Sequence, residues 1–351
     1  MRPSTSHPKP RRGLLDRPRT PQQLDQQIAH HFGLTARQPL VDIGGSSTLN
    51  LCLKTTNGAF VVRLYRRWMT PDRLHAIQAA RRHLAEAGIP CPLPRSTIDG
   101  AGWIEVDGHL VEIEPFIAFD SKMDSWERLE QGLPLLGRLH DRLASLDLPI
   151  AGRRVPAANS IDQEQFVEGV RQGAARLRDV HISDEELVLA DASESLAERV
   201  ADAERDLETG PLQLVHGDFW DNNVYFRDGE IVLVADLDFM GARPRIDDLA
   251  LTLYYTNSTF ADDQVSRARV ADLGRLVRAY DSSLARRLSE AEQRAIPPAM
   301  ARTAIGFIAQ MTDTDSDEGI HTLARELVPD FRWVQALLDD LGGWQEVLQQ
   351  S

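Results

Sequence analysis

At 351 residues, 42% of them hydrophobic, the chain can bury a substantial core as one two-lobed unit or two modest domains. Its formal net charge of −14 sets most of the surface against nucleic-acid phosphates, while attracting a cationic small ligand and being neutral towards a small zwitterion. No run approaches the ~18 apolar residues of a membrane helix, no signal-peptide core follows the N-terminus, and Cys52 and Cys91 are too few for a disulfide framework, so a cytoplasmic protein with no membrane or nucleic-acid partner is expected.

Residues 1–22 read as a disordered basic tail, with Arg2, Lys9, Arg11, Arg12, Arg17 and Arg19 among prolines and few large apolar side chains. Pro39 to Ile43 then reads as a strand, and Gly44-Gly45-Ser46-Ser47 as the turn into the next. Asn57-Gly58 joins Ser47–Thr56 to Ala59–Tyr65 as a hairpin, because two-residue turns of this kind favour positive φ. Pro71 to Ala87 is helical, with Leu74, Ile77, Ala80 and Leu84 on one face and Gly88 as its stop. A second hairpin turns at Asp107-Gly108, between Gly102–Val106 and His109–Glu114.

Pro115 to Phe119 leads into a mainly helical region, with helices expected over Trp126–Leu143, Asp162–Arg178, Asp184–Leu207, Asp263–Leu288 and Ala291–Met311. It is interrupted by a third hairpin, at Asp228-Gly229, joining Asn223–Arg227 to Glu230–Ala235. The fold expected is α+β in two lobes. Residues 23–117 form an antiparallel five-stranded sheet plus a helix, and residues 118–351 form a helical lobe carrying the lone hairpin. This order is the layout of a protein-kinase-like fold.

The chemistry gathers at the third hairpin. Counting back from Asp228-Gly229 sets Asn223 opposite Val234, with Asp236 two residues further. Asp218 stands five residues before Asn223. Convergent oxygen donors on paired strands suit Mg²⁺ when phosphate oxygens and water complete its shell, and a carboxylate five residues before the Asn can orient an acceptor hydroxyl. Asp, then Asn five positions on, then Asp beyond a hairpin is the pattern of kinase phosphoryl transfer. Asp238 is a second choice as metal ligand, since an alternating strand end would turn it to the side of Asp236. His216 and His140 read as structural histidines, and Asp247 and Asp248 as acids opening a helix at Leu249. Asp221 is either a contact to a cationic acceptor or a solvated loop acid.

On these residues the chain resembles the aminoglycoside phosphotransferase and choline kinase superfamily, which includes type II homoserine kinases, over roughly residues 38–255. The resemblance is carried by His216-Gly217-Asp218, Asn223, Asp236, Asp248-Leu249-Ala250 and Leu136-Gly137-Arg138-Leu139-His140. It implies a small-molecule kinase with ATP, or GTP in its place, as phosphate donor, Mg²⁺ as cofactor, Asp218 as catalytic residue and Asn223 and Asp236 as metal ligands. It also implies that Gly44, Gly45, Ser46 and Ser47 cover the phosphates, that Arg63 grips them from the third strand, and that Glu114, Phe116 and Ile117 receive the adenine. Two departures stand out. Arg63 occupies the position of the family's Lys, and no Glu lies between Pro71 and Ala85, leaving Gln78 as nearest helix partner.

The acceptors implied are an aminoglycoside or other antibiotic, an amino alcohol such as homoserine or choline, or a sugar derivative, with oligomeric state left open. A protein Ser/Thr kinase is a poorer reading because the interval from Asp236 to Asp248 is too short for an activation loop. A non-catalytic nucleotide-binding module is the other alternative, motivated by Arg63 and the missing helix Glu.

Overall fold

The structure, a computed structural model, describes residues 17–349 except 46, 155–162, 181–182, 261–266 and 315. Most of the expected tail, Ser46, and the expected starts of the helices at Asp162 and Asp263 lie outside the described residues. The chain is α+β and forms two compact units, one running to Pro71 and including Leu93–Phe116, the other comprising Asp72–Pro92 and the chain from Ile117 onwards.

The smaller unit is a five-stranded antiparallel meander, β1 (Val41–Gly44), β2 (Leu49–Thr55), β3 (Gly58–Leu64), β4 (Ile104–Val106) and β5 (His109–Pro115), in the order β1-β2-β3-β5-β4. Alternate residues Leu49, Leu51 and Leu53 on β2 and Phe60, Val62 and Leu64 on β3 point to one face. That face is covered by Leu24, Ile28 and Phe32 of α1 (Leu24–Phe32). Burying each such side chain contributes ~1.5–3 kcal/mol, which holds helix and sheet together. Arg17, assigned above to the tail, instead donates to both carboxylate oxygens of Asp42 (2.8 and 2.6 Å) and to the carbonyl of Gly44 (3.0 Å).

The hairpin at Asp107-Gly108 forms as expected, both turn residues having positive φ. At the first hairpin Thr55 pairs with Gly58, so the two-residue turn is Thr56-Asn57, one residue earlier than expected, and Gly58 (φ 122°) opens β3.

In the larger unit α2 (Pro71–Glu86) buries the expected Leu74, Ile77, Ala80 and Leu84. Helices follow as α3 (Trp126–Ala144), α4 (Ile150–Arg153), α5 (Gln163–Arg178), α6 (Asp184–Glu204), α7 (Arg245–Phe260), α8 (Arg267–Ser282), α9 (Glu290–Gly306), α10 (Asp317–Asp339) and α11 (Leu341–Gln349). Ser125, Ser183 and Ser289 cap α3, α6 and α9, and Glu186 and Glu292 complete capping boxes at the last two.

Two small sheets frame the site. One pairs β7 (Leu212–Val215) with β10 (Gly241–Pro244); the other orders β6 (Ser121–Lys122), β8 (Val224–Arg227) and β9 (Glu230–Val234). The β8–β9 turn is the expected Asp228-Gly229, but a bulge lies between Tyr225 and Phe226, so Tyr225 pairs with Leu233 and Val224 with Val234. The extra residue, Val232, shifts the register by one, and Asn223 comes opposite Ala235 instead of Val234, with its carbonyl accepting from the Ala235 amide (2.9 Å).

Candidate active site

The strand β7 delivers His216-Gly217-Asp218 to its end, and the first turn of α7 brings Asp248 beneath that loop. Asp248 is fully buried. One of its carboxylate oxygens accepts from the His216 amide and from His140 Nε2, each at 3.0 Å, and the other accepts from the Gly217 amide at 2.9 Å. Burial pushes this carboxyl up, but the His140 hydrogen bond and the nearby guanidinium of Arg243 outweigh it and hold it below the usual Asp value. His140 in turn meets the Tyr280 hydroxyl through Nδ1 at 2.7 Å.

His216 is buried with both ring nitrogens engaged. Its Nδ1 accepts from the Asp218 amide at 3.2 Å, which leaves Nε2 to donate to the carbonyl of Ala235 at 3.0 Å. This fixes the neutral Nε2–H tautomer. Burial pushes its pKa down, against the charges of Asp248 and Asp236. The ring therefore ties the His216-Gly217-Asp218 loop to the end of β9, a structural role.

Gly217 has φ 82°, and a Cβ there would lie 2.1 Å from the carbonyl oxygen of Phe239. Only glycine lets the loop rest on that segment.

Asp218 and Asn223 meet directly. The Asn223 side-chain amide donates to Asp218 Oδ2 at 2.9 Å and to the Asp218 carbonyl at 2.8 Å, which leaves Asn223 Oδ1 as the oxygen able to face a cation. Asp236 follows Ala235, the residue bonded to the Asn223 backbone, and adopts the left-handed conformation (φ 64°, ψ 64°) rare for a non-glycine residue.

Since β9 ends at Val234 and Asp236 turns the chain into a 3₁₀ turn over Leu237–Phe239, the strand alternation expected to bring Asp238 alongside Asp236 does not extend that far. Asp238 is buried instead, and its carbonyl accepts from Arg73. Asn223 Oδ1 and the half-buried Asp236 carboxylate are hard oxygen donors of the kind Mg²⁺ takes when phosphate oxygens and water fill its remaining positions. Among the described residues no cluster of three or more His, Cys, Asp or Glu could hold a metal by itself.

The residues expected to contact nucleotide lie in the smaller unit, apart from Ile117. Gly44 and Gly45 have φ 107° and 103°, and a Cβ on Gly45 would come within 2.2 Å of the Thr48 carbonyl. Ser47 is buried beside this turn, its carbonyl accepting from Arg66 Nε at 3.0 Å. Arg63 is also buried and sits directly across the ladder from Glu112, whose carboxylate accepts from the Tyr65 hydroxyl at 3.2 Å. An acidic neighbour of Arg63 thus stands on β5, a position the sequence reading missed by searching only the following helix. Glu114 lies buried just before the end of the same strand, while Phe116 is exposed and donates its amide to the Ala59 carbonyl.

Beside the loop that carries Asp218, a small pocket is lined by Trp220, Asp221, Tyr255, Thr256 and Thr259, with Met123 at its side. The Trp220 and Tyr255 rings lie 5.1 Å apart. On α7, Thr252, Tyr255, Thr256 and Thr259 recur at helical spacing along one face. Thr252 fastens that face to the loop by donating to the Phe219 carbonyl at 2.5 Å.

A loop carboxylate steadied by an amide, with a second carboxylate just past the adjoining hairpin, suits transfer of a phosphoryl group to a hydroxyl, and the fold carrying it is that of the protein-kinase-like phosphotransferases. The microcompartment-associated aminopropanol kinase is similar over 90% of this chain and 97% of that one, with a TM-score of 0.73 at 15% identity. An amicoumacin kinase in complex with AMP-PNP, Ca²⁺ and Ami is similar over 87% and 92%, with a TM-score of 0.64 at 14% identity. In sequence, a homoserine kinase of Bradyrhizobium diazoefficiens is 26% identical over 268 residues, 75% of each chain. The model of the phosphotransferase enzyme family matches residues 41–286, and the chain belongs to that family as an enzyme of the small-molecule kinase class.

Proposed function

We propose that this protein transfers the γ-phosphate of ATP to the hydroxyl of a small amino alcohol. The observation that carries the reading is the Asn223 amide bound to Asp218 Oδ2 at 2.9 Å, which fixes the carboxylate that would receive the acceptor. Asp218 accepts a hydrogen bond from the acceptor hydroxyl and aligns its oxygen with the γ-phosphorus. As the new O–P bond forms and the bond to the β–γ bridging oxygen breaks, the hydroxyl proton passes to Asp218 and ADP leaves. Asn223 and Asp236 are the residues that would hold Mg²⁺. When bound, that ion neutralises phosphate charge.

For the nucleotide we propose the residues named by the family resemblance: Gly44, Gly45, Ser46 and Ser47 at the phosphates, Arg63 as their cationic contact, and Glu114, Phe116 and Ile117 at the adenine. The ammonium end of the acceptor is assigned to the loop face around Asp221, beside Trp220, Tyr255, Thr256 and Thr259. Aromatic faces and one carboxylate suit an ammonium group, the threonine hydroxyls suit a polar chain, and the net charge of −14 favours a cation. The aminopropanol kinase and homoserine kinase relatives support an amino alcohol over a larger acceptor. The free thiols of Cys52 and Cys91 accord with a cytoplasmic setting.

The test is consumption of ATP and of GTP with Mg²⁺ across 1-amino-2-propanol, ethanolamine, homoserine, choline and aminoglycosides, with Asp218→Ala as control. Turnover of an amino alcohol that disappears in the variant supports the reading. Turnover confined to aminoglycosides rejects the acceptor class, and turnover retained by the variant rejects the role of Asp218.

A further inference from the structure

The segment that follows Asp236 folds as a 3₁₀ turn over Leu237–Phe239 before entering β10. Its short 3₁₀ turn leaves the carbonyls of Asp238, Phe239 and Met240 facing inward, all three residues being buried. Two buried arginines meet them. Arg243 donates to Phe239 at 3.2 Å, and Arg73, from the first turn of α2, donates through one Nη to both Asp238 and Met240, each at 2.7 Å. The other Nη of Arg73 donates to the carbonyls of Ala151 (3.2 Å) and Arg154 (2.9 Å). One guanidinium thus spans α2, the chain around α4 and the end of the Asp236 turn.

The planar fork of arginine is needed for this arrangement. A lysine ammonium offers three donors from a single point and could not reach two pairs of carbonyls on opposite sides. The Asp238 carboxylate lies close enough to favour the charged guanidinium against its burial.

We infer that Arg73 is the positioning residue for the Asp236 turn, setting how well the Asp236 carboxylate is presented to the metal that accompanies the nucleotide. The inference rests on the phosphotransferase reading, in which Asp236 is a metal ligand. Family resemblance gave α2 a Glu to hold a strand cation, and this helix has no Glu before Glu86. Its first-turn arginine reaches instead to the chain beyond Asp236. An Arg73 variant should therefore alter the Mg²⁺ dependence of nucleotide binding and leave metal-free nucleotide affinity unchanged.

The experiment measures AMP-PNP binding by calorimetry over a Mg²⁺ titration and in EDTA, for wild type, Arg73→Lys, Arg73→Met and Arg245→Met. Arg245 is the control for loss of a buried arginine: it is comparably buried and holds the backbone carbonyls of Arg286 and Arg287 together with the Glu292 carboxylate. The Mg²⁺ concentration for half-maximal enhancement should rise ~10-fold or more in Arg73→Met and less in Arg73→Lys, as when an outer partner of a metal ligand is removed. Arg245→Met should lose comparable thermal stability with wild-type Mg²⁺ dependence. An unchanged Mg²⁺ requirement in both Arg73 variants overturns the inference, as does an equal shift in Arg245→Met. If Arg73→Met does not fold, Arg73→Lys carries the test. A wild type whose AMP-PNP affinity ignores Mg²⁺ would overturn the metal role of Asp236 itself, a failure distinct from one confined to the variants.

Discussion

The side-chain amide of Asn223 donates to the carboxylate of Asp218 at 2.9 Å and also to its carbonyl, so one residue fixes both the backbone and the side chain of the other. The two lie five positions apart, across the turn that leads into β8. Asn223→Ala should leave the fold intact and lower kcat by ~10²-fold or more through loss of acceptor alignment together with one Mg²⁺ ligand, with a smaller change in acceptor KM. Steady-state kinetics on the first acceptor identified checks this; an unchanged kcat would show that Asp218 needs no such support.

Asp248 takes three buried donors, and removing it orphans them all. Asp248→Ala should destabilise the protein by ~3–5 kcal/mol, the usual cost of removing one partner from a buried charged network. Urea unfolding measures it. A loss under 1 kcal/mol would mean that the loop finds other partners.

Gly217 and Gly229 share nearly the same φ, 82° and 83°, in different surroundings. A Cβ at Gly229 meets open space, so Gly229→Ala should cost about 1–2 kcal/mol from backbone conformation alone. At Gly217 the same change also drives a Cβ against the Phe239 carbonyl, which should raise the cost to about 2–4 kcal/mol and displace the catalytic loop. Comparing the two variants separates strain from collision.

The depressed pKa of buried His216 gives a stability signature. Its imidazole stays neutral in the fold but charges in the unfolded chain near pH 6.5, so the stabilisation it provides is complete above that value. It is lost as pH falls from there towards the folded pKa. Asp248 contributes in another window, because its carboxyl is held below the usual Asp value and its stabilisation is lost only in stronger acid. In His216→Asn, whose amide oxygen can stand for Nδ1, the fall in stability between pH 7 and 5 should be shallower than in wild type, by up to ~1.4 kcal/mol per pH unit. Equal slopes would contradict the neutral buried imidazole.

Local rules made much of this legible in the sequence. The Asp107-Gly108 and Asp228-Gly229 turns formed where positive φ was demanded, and α2 buried the four residues its periodicity marked. What escaped depended on distant partners. The bulge at Tyr225 and Phe226 that moved Asn223 opposite Ala235 has no local signature, and the left-handed turn at Asp236, between Ala235 and Leu237, has no adjoining glycine to mark it. The pairing of β7 with β10 spans a whole hairpin. Arg63 and Glu112 become neighbours through a strand pairing, while the sequence search for an acidic partner was confined to the next helix. Trp220 and Tyr255 share a pocket only because α7 folds back onto the catalytic loop.

The most direct measurement of the central claim is ³¹P NMR of ATP and Mg²⁺ incubated with wild type or Asp218→Asn and the small amino alcohols. The account predicts a phosphomonoester resonance coupled to the protons of the carbinol carbon in wild type, and its loss by ~10³-fold in the variant. Phosphate released only to water, or ester formed equally well by Asp218→Asn, would contradict it.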